Sequence, residues 1–210
     1  MILENGESAP RPLICVVDDD EGLRVSLTDL LEAEGMEVRA FASAQVMLAD
    51  GLLDRAACIL LDVQLPGSSG MEVQQALVSA GCNTPIVFIT GHADVPMSVQ
   101  AMKRGASDFL TKPFTATQLL SAVSEAMRTG FERRREAEAT AEVAAQFATL
   151  TPREREVMAA VTKGLMNKQI AYELGIAEIT VKIHRGNVMR KMGVTSVAEL
   201  VKHASLLEAS

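Results

Sequence analysis

The sequence predicts an α/β fold, a doubly wound sheet of five parallel strands, followed by a long helical linker and an all-α unit. Three observations carry this prediction. Short, almost wholly apolar runs alternate with amphipathic segments between Leu13 and Leu110, as parallel strands covered on both faces require. Beyond Ala116 only helical periodicity remains. Aromatic residues make up 3% of the chain, with six Phe, one Tyr and no Trp. The core therefore rests on Leu, Val, Ile, Ala and Met, which disfavours a β-sandwich or barrel.

The strands are expected at residues 13–17, 37–41, 58–61, 86–89 and 107–110. Amphipathic helices are expected at 23–34, 44–52, 71–80 and 95–104, with a fifth beginning near Ala116. Gly35, Gly81 and Gly105 stand where helix C-terminal caps belong. Strand and helix alternating so regularly imply βαβ units and an open parallel sheet with helices on both faces. Apart from Gly130, residues 116–148 hold no helix breaker, and 131–147 is rich in Glu, Arg and Ala. A helical spacer with Gly130 as its weak point is favoured here over a frayed linker. In the last block Thr151 supplies an N-cap, Pro152 the first helical residue and Glu154 the third, which together form a capping box. The domains are expected at 11–128, 129–148 (linker) and 149–210.

The 210-residue chain carries a net charge of -7, which at first sight argues against a nucleic-acid partner. Divided along the chain, that charge is -9 for residues 1–130, -1 for 131–148 and +3 for 149–210. An acidic front and a basic back are thus hidden in one average. No apolar run approaches the roughly 20 residues that cross a bilayer, and residues 1–12 read as polar and acidic rather than as a secretory leader. Cys15, Cys58 and Cys82 lie in apolar stretches without metal-ligand spacing. They are expected to be free thiols of a cytoplasmic protein, with no membrane partner.

In a doubly wound sheet, function gathers at the C-terminal strand ends. Here those ends carry Asp18-Asp19-Asp20, Asp62, Thr90 and Lys112. Asp20 is placed to cap the following helix. The other carboxylates would repel one another unless a cation sat among them, and oxygen-only ligands suit Mg²⁺. With Mg²⁺ on Asp19 and Asp62, a phosphoryl group would be drawn towards Asp62, its equatorial oxygens bound by Lys112 and the Thr90 hydroxyl.

These residues, with the run Leu61-Asp62-Val63-Gln64-Leu65-Pro66-Gly67 and the triplet Lys112-Pro113-Phe114, resemble the receiver domain of bacterial two-component response regulators. The resemblance covers residues 13–127. It implies a flavodoxin-like strand order 2-1-3-4-5 and phosphorylation of Asp62 by a sensor histidine kinase. It also implies Mg²⁺ (with Mn²⁺ able to substitute) on Asp19, Asp62 and the Gln64 backbone carbonyl, Asp18 assisting through water, and a cis Lys112-Pro113 bond. Phe109 stands at the family's switch aromatic; the alternative is a plain core residue. The segment 90–97 is similar to the FixJ subgroup, with His92 as a surface or loop residue.

Residues 167–192 contain a helix-turn-helix pattern. Ile170, Ala171 and Leu174 lie on one helix, Gly175 at the turn, and Val181 and Val188 on the next. With Val181, Val188 and Met192 facing a core, the opposite face carries Lys182, Ile183, Gly186, Asn187 and Arg190. No acidic residue lies between Glu178 and Glu199. An exposed Ile and a mid-helix Gly suit close approach to DNA better than simple solvation, since Gly leaves room and Ile can meet a thymine methyl. The block resembles the LuxR/FixJ-type four-helix DNA-binding domain over about residues 149–207. It implies a recognition helix near 179–192, base contacts from Lys182, Ile183 and Gly186, phosphate contacts from Lys168, Thr180 and Arg190, and a final helix over 196–207 that pairs domains.

Together these features identify the chain as a member of the FixJ/NarL class of response regulators. The resemblance implies double-stranded promoter DNA as a partner, a homodimer on phosphorylation, and RNA polymerase as a further candidate partner. It implies no enzymatic turnover beyond the chain's own phosphoryl transfer and slow dephosphorylation. Two alternatives stay open: a regulator independent of phosphorylation, and a haloacid-dehalogenase-like phosphatase with Asp18 as nucleophile.

Overall fold

The computed structural model describes residues 11–91 and 95–208; His92, and with it the expectation of a surface or loop role, lies outside them. In chain order the elements begin with β1 Leu13–Val17, α1 Glu21–Ala33, β2 Glu37–Phe41 and α2 Ala44–Asp50, followed by a 3-10 turn at Leu53–Arg55. They continue with β3 Ala56–Asp62, a short hairpin of β4 Gln64–Leu65 and β5 Ser68–Ser69, α3 Gly70–Ser79, β6 Ile86–Thr90, α4 Val95–Lys103 and β7 Asp108–Thr111. The remainder is helical: α5 Ala116–Ala148, α6 Pro152–Thr162, α7 Asn167–Leu174, α8 Glu178–Lys191 and α9 Val197–Glu208.

The main sheet runs β2-β1-β3-β6-β7 with every pairing parallel. Counted among its five strands, that is the order 2-1-3-4-5. The central strands β1, β3 and β6 are almost wholly apolar because each faces two cores, whereas the edge strands β2 and β7 carry Glu37, Arg39 and Asp108. One face packs Phe41, Ile59, Leu61 and Phe88 against α2, α3 and α4; the other packs Ile14, Leu60, Val87 and Ile89 against α1 and α5. Cys15 and Cys58 sit on adjacent strands but on opposite faces. Burial pushes Cys15 up to about 11 and Cys58 up to about 12, so both behave as small hydrophobes rather than nucleophiles. Gly35, Gly81 and Gly105 adopt φ of 82°, 77° and 89°, the left-handed region in which only glycine ends a helix without strain.

The chain divides into two compact units between Arg134 and Arg135, within the span of α5. The segment read as a spacer is therefore not free along its length: Val143 and Phe147 pack into the core of the second unit with Val157, Met158, Val188 and Leu200.

Gly130 also departs from its expected role. The helix passes through it unbroken, and a Cβ there would collide with Pro85 Cγ and stand 2.9 Å from Pro85 Cδ. Gly130 is a point of close approach rather than a weak point. In an exposed helix, Gly→Ala gains about 1 kcal/mol, whereas forcing a methyl into a rigid contact costs about 1–3 kcal/mol. Gly130→Ala should therefore lower stability by about 1 kcal/mol, visible as a reduced urea midpoint. An increase would show that Pro85 yields.

Candidate functional site

Four strand ends build the site of the first unit. Asp18 and Asp19 follow β1, Asp62 ends β3, Thr90 ends β6, and Lys112 follows β7. Asp20 is spent on capping, accepting from the Leu23 N–H at 3.1 Å. Asp18 and Asp62 are nearly sealed from water, at 2% and 5% exposure, while Asp19 is exposed. Oxygens of the three carboxylates lie within 4.8 Å of one another.

One cation offsets part of this charge. Lys112 Nζ lies 2.7 Å from Asp18 Oδ2 and 2.6 Å from Asp62 Oδ2. Burial opposes the charge on Lys112, but its hydrogen bonds to Asp18 and Asp62 prevail and hold its pKa above the usual lysine value. Burial pushes Asp18 upward against the pull of Lys112. Three carboxylates and one ammonium leave a formal charge of -2, which matches a divalent cation with oxygen ligands. Asp62 Oδ1 accepts from the Gln64 backbone N–H at 2.8 Å. The Asp62 carboxylate is thus held at both oxygens, and Asp18 Oδ1 is likewise fixed by the Asp20 N–H at 2.9 Å.

Thr90 is buried at the same edge, and its carbonyl accepts from the Lys112 N–H at 2.7 Å. That bond ties the Lys-bearing loop to β6. The Lys112-Pro113 peptide is cis. Phe109 is half-buried on β7, its ring 6.2 Å from that of Phe88 and packed on the α2/α3/α4 face. Two supports were not legible in the sequence. Gly70, the first residue of α3, lies so close to Asp62 that a Cβ would strike the Asp62 carbonyl oxygen. Arg24 donates from Nη1 to the Asp18 carbonyl at 2.7 Å. Neither could be found from strand-end spacing, because both depend on how helices seat against the sheet.

In the second unit, Gly175 turns the chain between α7 and α8 with φ 64°. Val181, Val188 and Met192 are buried with Ile170. Lys168, Lys182, Ile183, Gly186 and Arg190 are exposed, and Thr180 and Asn187 are half-buried. Beyond its own chain neighbours and helix backbone, nothing comes within 4 Å of a Cβ placed on Gly186, so packing against other elements does not demand a glycine there. Two cations of the acid-free window serve the domain itself. Arg185 Nη1 donates to Asn167 Oδ1 at 3.0 Å, bracing α7 against α8. Lys191 Nζ pairs with the buried Glu154 at 2.6 Å and also donates to the Thr149 carbonyl at 3.1 Å.

A family model described as the response regulator receiver domain matches residues 14–124. A second, described as bacterial regulatory proteins of the luxR family, matches 148–204. Nodulation protein W of Bradyrhizobium diazoefficiens is 48% identical over 204 residues, covering 97% of this chain and 90% of that protein. Transcriptional regulatory protein FixJ of Azorhizobium caulinodans is 44% identical, covering 95% and 93% respectively. The solved structure of response regulator StyR superposes with TM-score 0.83 at 44% identity, over 96% of this chain and 100% of that one.

Proposed function

Because the chain belongs to the two-component response regulators that join a receiver domain to a LuxR-type helix-turn-helix domain, we propose that Asp62 is its phospho-acceptor and that Mg²⁺-dependent phosphorylation controls its binding to promoter DNA. The chain is a DNA-binding transcription regulator, not a classical enzyme, and among the described residues no helix is long and apolar enough to cross a membrane. We assign the receiver to 11–128, the connecting helix to 129–148 and the DNA-binding domain to 149–210. The cytoplasm is the proposed site of action.

The observation that carries the reading is the Asp62 carboxylate held between Lys112 and the Gln64 N–H, with Asp18 and Asp19 beside it. An Asp62 oxygen attacks the phosphorus of a kinase phosphohistidine; the phosphorus–nitrogen bond breaks and its electron pair returns to the imidazole. Lys112 offsets charge on the incoming oxygens, the Thr90 hydroxyl binds another of them, and Phe109 turns inward behind Thr90. Mg²⁺, or Mn²⁺ in its place, bound by Asp18, Asp19, Asp62 and the Gln64 carbonyl, would supply the remaining positive charge. Phosphorylation then favours a homodimer, and coupling two half-sites raises affinity for promoter DNA. Lys182, Ile183 and Gly186 face bases, Lys168, Thr180 and Arg190 meet phosphates, and Asn187 lies on the same DNA-binding face. RNA polymerase is a further proposed partner.

Incubation with acetyl phosphate and Mg²⁺ tests this directly. One phosphoryl group should map to Asp62, dimers should form, and EDTA should prevent both. Mg²⁺ at ten times its dissociation constant should also stabilise the protein by about 1.4 kcal/mol, read as a raised thermal midpoint, and Asp19→Asn should remove that gain. A phosphoryl group on Asp18, with turnover of phosphate esters, would instead indicate a phosphatase. Dimerisation indifferent to phosphodonor would indicate a phosphorylation-independent regulator.

A further inference from the structure

Helix α8 presents two branched aliphatic side chains to solvent in successive turns. Ile179 is 65% exposed and Ile183 is 59% exposed. At 100° per residue, Ile179, Ile183, Gly186 and Arg190 fall within an arc of about 60°, opposite the pole marked by Val181. This stripe is therefore the outermost line of the helix, directly away from the buried Val181, Val188 and Met192. Solvation gives no reason for two isoleucines there, since β-branched residues are weaker helix formers than Lys, Gln or Ala.

The surroundings of the stripe specify its occupant. Lys182 flanks it, Arg190 lies at its far end, and no acidic residue follows until Glu199. The open space around Gly186 lets a large surface approach closely. A polyanion with apolar groups on its edges fits this pattern, and duplex DNA offers one such group in the major groove, the thymine 5-methyl. The first turns of a recognition helix are the part that reaches base edges, and Ile179 lies in the first turn of α8.

We propose that Ile179 and Ile183 act together as a reader of two thymine methyl groups, making Ile179 a specificity-determining residue. This rests on the DNA-binding reading above. Four residues advance the helix by about 6 Å, and successive bases on a strand are about 3.4 Å apart. The two thymines therefore lie about two base steps apart within each half-site.

The test uses the full chain with acetyl phosphate and Mg²⁺ to enrich duplexes from a randomised library. The enriched duplex is then resynthesised with deoxyuridine in place of each thymidine in turn. Two positions, about two steps apart, should each lose affinity by about fourfold, the contribution of one buried methyl-sized group. Ile179→Ala should abolish the discrimination at one position and Ile183→Ala at the other. Both variants should keep wild-type thermal midpoints, because neither side chain is in the core. Equal binding of the thymidine and deoxyuridine forms throughout would overturn the inference while leaving DNA binding intact. So would a uracil penalty untouched by Ile179→Ala. Failure to enrich any duplex would instead reject the DNA-binding reading itself, and the inference with it.

Discussion

Replacing Asp62 by Asn should leave the receiver folded and abolish uptake of a phosphoryl group from acetyl phosphate. Asn lacks the anionic oxygen that attacks phosphorus, so the expected loss is complete rather than graded. The physical state of the site predicts a second effect. Asp18 and Asp62 are both buried and compete for one Lys112 ammonium. Removing one charge lowers the repulsion and leaves Lys112 paired with Asp18 at 2.7 Å. Asp62→Asn should therefore be at least as stable as the wild type, with a gain of up to about 1 kcal/mol. Intact mass after phosphodonor treatment and a thermal melt read the two effects separately. A variant that still gains a phosphoryl group, or that dimerises as the wild type does, would overturn the assignment of Asp62.

The largest stability effect is expected at Glu154, in the second unit. Its side chain is 5% exposed, closes the capping box with Thr151 and pairs with Lys191 across 37 residues of sequence. The hydrogen bond from Lys191, reinforced by the Thr151 N–H, holds its pKa down to about 2. A carboxyl lowered in this way stabilises the fold fully above its ordinary value of 4.5, and that contribution disappears as the pH falls from there towards 2. Glu154→Ala removes a cap and leaves Lys191 without its buried partner, so it should cost about 3 kcal/mol at neutral pH. Glu154→Gln keeps an acceptor for the Thr151 N–H and should cost less. Denaturant titrations of both variants at pH 7 and pH 3 check this: the deficit of Glu154→Ala should shrink at the lower pH. A deficit independent of pH would mean that the packing of the side chain, not its ionised carboxylate, carries the effect.

These two sites differ in how far the sequence disclosed them. Strands covered on both faces leave an unbroken apolar signature, so β1, β3 and β6 were legible, and with them the edge at which Asp18, Asp62 and Thr90 meet. The Thr151-Pro152-Glu154 cap was legible for a related reason, since its partners are three residues apart. The Glu154–Lys191 pair was not, because helix packing alone brings those positions together. The same limit hid the roles of Arg185 and Lys191, whose partners Asn167 and Glu154 lie on other helices. Gly130 was misjudged because glycine marks both loose and crowded backbone, and only the position of Pro85 distinguishes them. The seating of Gly70 against Asp62 was hidden in the same way.

The sheet separates the receiver interior into two leaves that share strands but not side chains. Phe109 and Phe88 belong to the leaf with α2, α3 and α4, while Leu119, Ala122, Val123 and Ala126 of α5 belong to the other. The inward turn proposed for Phe109 would therefore exchange volume with Met97 and Ala101, its companions in that leaf, and not with the packing beneath α5. Core substitutions accordingly divide into two kinds. Changes beneath α1 and α5 should alter how firmly the receiver is folded; changes beneath α4 should alter, in addition, how easily the proposed turn of Phe109 finds room.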